Sequence, residues 1–203
     1  MDFLRYAATA LCAYLLGSIP SGYIMARARG VDIRKVGSGN IGATNVFRIL
    51  GRPAGITVLL CDALKGFIAA RFISFATTPD SVEYHAIVAG MSAILGHNYT
   101  CWLRFKGGKG IATSAGVLLA LVPLGLAAAL SVWIVTFYLS KYVSVASITA
   151  ATFLPFGVWL TGGSKRMLVL TSVVGALALY KHKTNIQRLM NGTENKFGRK
   201  RNE

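Results

Sequence analysis

Long apolar blocks separated by short basic segments dominate this sequence of 203 residues. They run over roughly residues 3–26, 54–75, 84–103, 111–140 and 143–181. Each is long enough for at least one helical crossing, because ~20 apolar residues rise through a ~30 Å hydrocarbon layer. Apolar residues occur all round these blocks rather than in a stripe of 3.6-residue period, which predicts burial in lipid. Only 14% of the residues are charged, against roughly 25% in soluble domains. That is too few to cover a water-soluble surface of this size. The expected fold is an all-α integral membrane protein.

The charge is one-sided, with 22 Lys and Arg against 7 Asp and Glu. These basic residues lie between apolar spans, which argues against nucleic acid as the partner. It favours cytoplasmic loops and contact with membrane lipid or an anionic substrate. The loop 27–53 holds Arg27, Arg29, Arg34, Lys35, Arg48 and Arg52 against one acid, Asp32. The loop 104–110 holds Arg104, Lys106 and Lys109. The tail 181–203 carries eight basic side chains, His182 included, against two acids. The connection 76–83 has no Lys or Arg and contains Asp80 and Glu83. Positive-inside counting therefore places 27–53, 104–110 and the tail in the cytoplasm, with 76–83 and the N-terminus outside. Arg5 before Tyr6–Leu16 resembles a signal peptide, but the apolar run continues to about Ala26 without a convincing cleavage site. It reads as a retained first helix.

For the tail to end inside, the chain from 111 to 181 must cross an even number of times. The polar patch Thr161–Arg166 divides the last block into two helices. The block 111–140 is too long for one crossing and has Pro123 and Gly125 in its middle, where a helix is weakened. Two short helices folded as a hairpin there give seven crossings in all, and a single kinked helix leaves the tail on the wrong side. Seven transmembrane helices in one polytopic domain, 1–203, are expected. Lys165 and Arg166 then lie outside. The cysteines Cys12, Cys61 and Cys101 lack metal-ligand spacing and read as small core residues.

Three cytoplasmic segments hold nearly all the unusual sequence. The first is Gly37-Ser38-Gly39-Asn40-Ile41-Gly42-Ala43-Thr44-Asn45-Val46-Phe47-Arg48. Its glycines allow close backbone approach to a ligand and can turn successive N–H groups inward as an anion nest. Ser38 and Thr44 add hydroxyls, and Arg48 lies about a helical turn beyond Thr44, placed to clamp a phosphate. A tight loop with a helix cap is the plainer alternative. The segment is no Walker A loop, since no Lys-Ser or Lys-Thr follows the glycines.

The second segment is Lys106-Gly107-Gly108-Lys109-Gly110-Ile111-Ala112-Thr113. Two lysines among three glycines at a helix start suit an anion better than a simple charged anchor does. The third joins Lys181-His182-Lys183-Thr184-Asn185-Ile186-Gln187-Arg188 to Asn191-Gly192-Thr193-Glu194-Asn195-Lys196. His182 and Asn185 face the same way if this stretch is helical. By itself it reads as a basic helix beside lipid headgroups.

Inside the spans, Asp62 and Lys65 are three residues apart, and charges at that depth must pair or face the protein interior. An ion pair is the simpler reading, a catalytic base the other. His97 precedes the Lys-Gly-Gly loop, and Ser144 and Ser147 begin a later helix near the cytoplasmic side. No His is followed five residues later by Asp, and there is no Gly-x-Ser-x-Gly elbow, metal-spaced carboxylate pair or Cys/His cluster. The residues describe anion sites without an activated protein nucleophile. A transporter for phosphate or a phosphorylated solute and a lipid-binding scaffold remain as alternatives to an enzyme.

Together the three segments, with Gly17-Ser18-Ile19-Pro20 and Val31-Asp32-Ile33-Arg34 upstream, resemble the bacterial acyl-phosphate:glycerol-3-phosphate acyltransferases, the PlsY family. The resemblance runs to about Lys196 and implies a seven-helix enzyme of the bacterial inner membrane. That enzyme moves a fatty acyl group from acyl-phosphate to the first hydroxyl of glycerol 3-phosphate, giving lysophosphatidic acid and phosphate. It implies no metal or other cofactor and no obligate protein partner. By the same resemblance Ser38, Asn40, Thr44, Asn45 and the Gly107-Gly108 loop contact acyl-phosphate, Gly39, His97 and Lys106 also bind substrate, and Ser38, Arg48, Lys109, His182 and Asn185 are catalytic. Arg48, Lys109, Ser147, His182 and Asn185 serve glycerol 3-phosphate. Two phosphate-bearing substrates match two basic glycine loops, and a substrate phosphate oxygen is available to take the hydroxyl proton. His182 is the side-chain alternative as base.

Overall fold

The computed structural model describes residues 2–198, and these contain helices and turns but no strand. The helices are α1 (Asp2–Ser18), α2 (Ser21–Arg27), α3 (Ala43–Leu50), α4 (Arg52–Phe72) and α5 (Pro79–Asn98). They continue as α6 (Ile111–Leu121), α7 (Pro123–Ser140), α8 (Val143–Leu160), α9 (Lys165–Lys181) and α10 (Lys183–Met190). Short 3₁₀ turns occupy Ile33–Lys35 and Cys101–Leu103. The chain forms two compact units, Met1–Leu121 and Val122–Glu203.

Polarity in both units is inverted relative to a soluble protein. Leu59, Leu60, Leu64, Ile134, Val135 and Leu139 face outward, while Asp62, Lys65, His97, Asn98, Ser144 and Thr171 are buried. Such a surface is stable only against lipid, and the chain is an integral membrane protein. Among the described residues, four segments have the length and hydropathy of a membrane crossing: Asp2–Arg27, Arg52–Phe72, Pro123–Ser140 and Val143–Leu160.

Several boundaries differ from the sequence reading. The first apolar block is two helices, because Pro20 has no N–H to continue α1 and its ring disfavours helical geometry at Ile19. The third block begins earlier, at Pro79, where Ser81 Oγ accepts from the Thr78 N–H at 3.3 Å. It ends at Asn98, and the 3₁₀ turn follows. The fourth block does break at Val122–Pro123, but its two helices are unequal. α6 has 11 residues and rises about 16 Å, whereas α7 has 18 and rises about 27 Å, so α7 is not short. The last block divides as expected, with the Ser164 hydroxyl capping α9 by accepting from Met167 N–H at 3.3 Å. Cys12 and Cys61 are exposed and Cys101 is half-buried, so these thiols are not core residues. A small apolar side chain is as well accommodated by lipid as by the interior.

Small residues bring the helices together, as expected where lipid provides no hydrophobic drive between them. In the first unit α1 lies along α5, and a Cβ at Gly17 would meet the backbone of Ala93. α4 lies along α6, where Gly66 and Gly116 meet the backbones of Thr113 and Ala63. In the second unit α7 packs on α8, and Gly125 lies against Val158.

Candidate active site

The first glycine segment is a loop built around Asn45. This side chain is 2% exposed and points back from the first turn of α3. Its amide nitrogen donates to the carbonyls of Ile33 (3.2 Å), Val36 (3.1 Å) and Asn40 (2.9 Å). Its oxygen accepts from Ser38 N–H at 2.9 Å. Asn40 Oδ1 accepts from Gly42 N–H at 2.8 Å, and Gly39 N–H donates to Val36 O at 3.0 Å. Gly37 (φ 62°) and Gly39 (φ 71°) take the left-handed turn, and a Cβ at Gly37 would also collide with Asn45 Oδ1.

Part of the expected anion nest is taken up by the loop's own hydrogen bonds. The N–H groups of Ser38, Gly39 and Gly42 are engaged inside the loop, and Asn40 and Asn45 shape it. Ser38 and Arg48 are exposed and Thr44 half-buried. Upstream, Asp32 accepts from Arg34 Nη2 at 2.8 Å, and the hydrogen bond from this guanidinium holds its carboxyl well below the usual carboxylate range. Arg34 also lies over the Tyr23 ring, 4.7 Å from its centroid.

The second glycine segment rests on the end of α5. Gly108 N–H donates to His97 O at 3.0 Å. A Cβ at Gly107 would collide with His97 O, and one at Gly108 with His97 Nε2, so only glycine fits this approach. His97 is 5% exposed and packs behind the loop. Lys106 is exposed and Lys109 half-buried just before α6, whose N-terminal end favours negative charge. The two glycine segments share one apolar cluster: Leu103 joins Ile33, Ile41, Val46, Ala54 and Val58. That cluster anchors both loops in the first unit.

The remaining expected residues lie in the second unit. His182 is 3% exposed and sits between α9 and α10. Its Nδ1 is 2.7 Å from Ala178 O. A carbonyl only accepts, so Nδ1 carries the proton and a neutral ring has its lone pair at Nε2. Asn185 is one turn on, its N–H bonded to His182 O at 2.9 Å. Ser147 Oγ accepts from Trp133 Nε1 at 3.2 Å.

A family model for glycerol-3-phosphate acyltransferases matches residues 7–192. The chain belongs to the glycerol-3-phosphate acyltransferase family. A glycerol-3-phosphate acyltransferase of Geotalea daltonii is 49% identical over 187 residues, covering 92% of this chain and 95% of that protein. One of Fusobacterium nucleatum is 45% identical over 185 residues, covering 91% and 94%. The fold is similar to crystal structures of PlsY, an integral membrane glycerol 3-phosphate acyltransferase. Its glycerol 3-phosphate form superposes with a TM-score of 0.88 at 41% identity, over 95% of this chain and 96% of that one. Its lysophosphatidic acid form gives 0.85 at 40%, over 95% of each.

Two residues that hydrogen-bond the expected site residues were missed by sequence reasoning. Glu194 accepts from Ser144 Oγ (2.8 Å), Asn185 Nδ2 (2.7 Å) and Arg188 Nε (2.7 Å), tying the tail to the start of α8. Its signal was its isolation, a lone acid between Arg188 and Lys196. Trp133, which orients the Ser147 hydroxyl, carried no signal that separates it from other aromatic residues in an apolar helix.

Proposed function

We propose that this chain moves a fatty acyl group from acyl-phosphate to the 1-hydroxyl of glycerol 3-phosphate. Lysophosphatidic acid and inorganic phosphate are the products. The observation that carries this reading is the near full-length match to a PlsY captured with glycerol 3-phosphate and with lysophosphatidic acid. The placement of Arg48 on α3, just after the first glycine loop, and of Lys109 on the second loop supports it.

Acyl-phosphate is a mixed anhydride with a good leaving group. The hydroxyl oxygen attacks the acyl carbon, the C–O bond to phosphate breaks, and phosphate departs with the electron pair. The protein must align the two substrates and offset developing negative charge. Ser38 and Thr44 donate to the acyl-phosphate, and the Gly107–Gly108 turn approaches it closely, with Gly39, Asn40 and Asn45 holding the loop that presents them. Lys106 adds positive charge there. Arg48, Lys109, Ser147, His182 and Asn185 serve glycerol 3-phosphate. The hydroxyl proton passes to a phosphate oxygen of the substrate, with His182 Nε2 the alternative acceptor.

The whole chain acts as one polytopic domain of a bacterial cytoplasmic membrane. It crosses seven times, with α1 and α2 forming the first crossing and α4 to α9 the others. The loops 27–53 and 104–113 and the tail 181–203 face the cytoplasm, and the N-terminus lies outside, as the positive-inside bias requires. The deciding assay is phosphate release from acyl-phosphate by the purified chain in detergent. Release that depends on glycerol 3-phosphate, with matching lysophosphatidic acid, is expected; no release under any acceptor concentration would overturn the reading.

A further inference from the structure

Three ionisable side chains meet inside the first unit. Asp62 and Lys65 of α4 are 2% and 5% exposed, and Asp62 Oδ1 lies 2.9 Å from Lys65 Nζ. Lys65 Nζ also donates to Ile19 O at 2.7 Å, at the break between α1 and α2. From α5, His97 Nδ1 reaches to 3.6 Å of the same Asp62 oxygen. The other edge of that ring, Nε2, is the atom a Cβ at Gly108 would strike. The imidazole is thus seated between a buried carboxylate and the backbone of the Lys-Gly-Gly-Lys loop.

A buried ion pair is weak evidence for stability, because well-packed apolar residues of similar volume do as well or better. Stability alone therefore gives no reason for Asp62 and Lys65 to sit in the buried face of an apolar helix. A carboxylate beside one ring nitrogen does fix an imidazole's orientation and tautomer, and so the position of whatever rests on the other nitrogen. Here that is Gly108, in the loop that carries Lys106 and Lys109.

We propose that Asp62 is a positioning residue for acyl transfer: held by Lys65, its carboxylate fixes the His97 imidazole, which sets the Lys106–Gly110 loop in its reactive position. The inference rests on the acyltransferase reading and adds to it a chain of contacts running from α4 to the loop. Asp62 and Lys65 do not touch substrate; they act through His97.

The test compares Asp62→Asn with the double variant Asp62→Asn/Lys65→Met, measuring turnover per folded protein, KM for glycerol 3-phosphate and thermal unfolding in detergent. Asp62→Asn leaves Lys65 charged and without its carboxylate, so both unfolding temperature and kcat fall. The double variant removes both charges and recovers the unfolding temperature. Its kcat stays down by at least about tenfold, as expected when a reacting group is misplaced rather than lost, with KM changed less than about threefold. Recovery of kcat together with stability would mean that the pair is only structural and would overturn the proposal. If either variant fails to fold, His97→Gln, which leaves the ion pair in place, carries the same expectation, and wild-type kcat in it overturns the proposal. Wild-type protein assayed alongside separates the two levels: wild-type protein without turnover would sink the acyltransferase reading itself.

Discussion

The Asn185 side-chain amide donates to Glu194 Oε1 at 2.7 Å, and the same oxygen accepts from Ser144 Oγ at 2.8 Å. One carboxylate therefore joins the helix after His182, the tail and the first turn of α8. Arg188 completes the cluster from 2.7 Å on Oε2. Burial pushes the Glu194 carboxyl up, but the hydrogen bonds from Asn185, Arg188 and Ser144 outweigh it and hold the group below its ordinary value of about 4.5. A carboxyl with a depressed folded pKa stabilises the fold fully above its unfolded value, and that contribution is lost as pH falls through the folded value.

The wild-type unfolding temperature should consequently show no contribution from this group to its pH dependence near neutrality, and should drop in acid below about pH 4.5. Glu194→Gln should be less stable at neutral pH and should lose part of that acid dependence. Thermal unfolding in detergent across pH measures both. A Glu194→Gln protein with the wild-type profile would show that the cluster is not ionised as described.

Asn45→Ala should remove the bonds that shape the first glycine loop while leaving Arg48 in place. Backbone carbonyls at 33, 36 and 40 lose their shared donor. Activity should fall by about 100-fold, the scale expected when reacting groups shift by an ångström. Limited proteolysis should show new cleavage within 34–42. Unchanged cleavage and turnover would refute the scaffold role.

Gly108→Ala should be far more damaging than a substitution at Gly30. The added methyl at 108 meets the His97 ring, whereas Gly30 is left-handed (φ 74°) with nothing within 4 Å. Gly30→Asn keeps that backbone accessible and should retain wild-type turnover. Equal activity of the two variants would show that the close approach at Gly108 has no part in the reaction.

Lys109→Ala and Arg48→Ala should each lose nearly all turnover while the protein still inserts and unfolds at close to the wild-type temperature. Arg48 carries its charge on α3 and Lys109 on the second glycine loop, so the loss should be chemical rather than structural. Purified Lys109→Ala with wild-type turnover would refute its place in phosphate binding.

A cysteine introduced at Ser164, in a chain with Cys12, Cys61 and Cys101 replaced, should react with impermeant thiol reagents from outside the cell membrane only. Labelling from the cytoplasmic side alone would overturn the seven-crossing topology, because the α8–α9 connection would then be internal.

Membrane residence and the three segments that carry the family resemblance were legible from residue order alone. A continuous apolar run without one-sided periodicity has a single low-energy solvent. Pro20 and Pro123 were equally local in effect, although the break at Pro20 was not anticipated, since the surrounding run is long and apolar enough to read as one helix. What packing alone settled was the direction in which each polar group points. Asn45 stood in the sequence as one polar residue among several; folding turned its amide onto three carbonyls of its own loop. His97 and Asp62 are 35 positions apart, and Ser144 and Glu194 50 apart, so no periodic pattern connects them. Contacts between such pairs form only after small residues have let the helices approach, and that is a property of the packed chain rather than of any one segment.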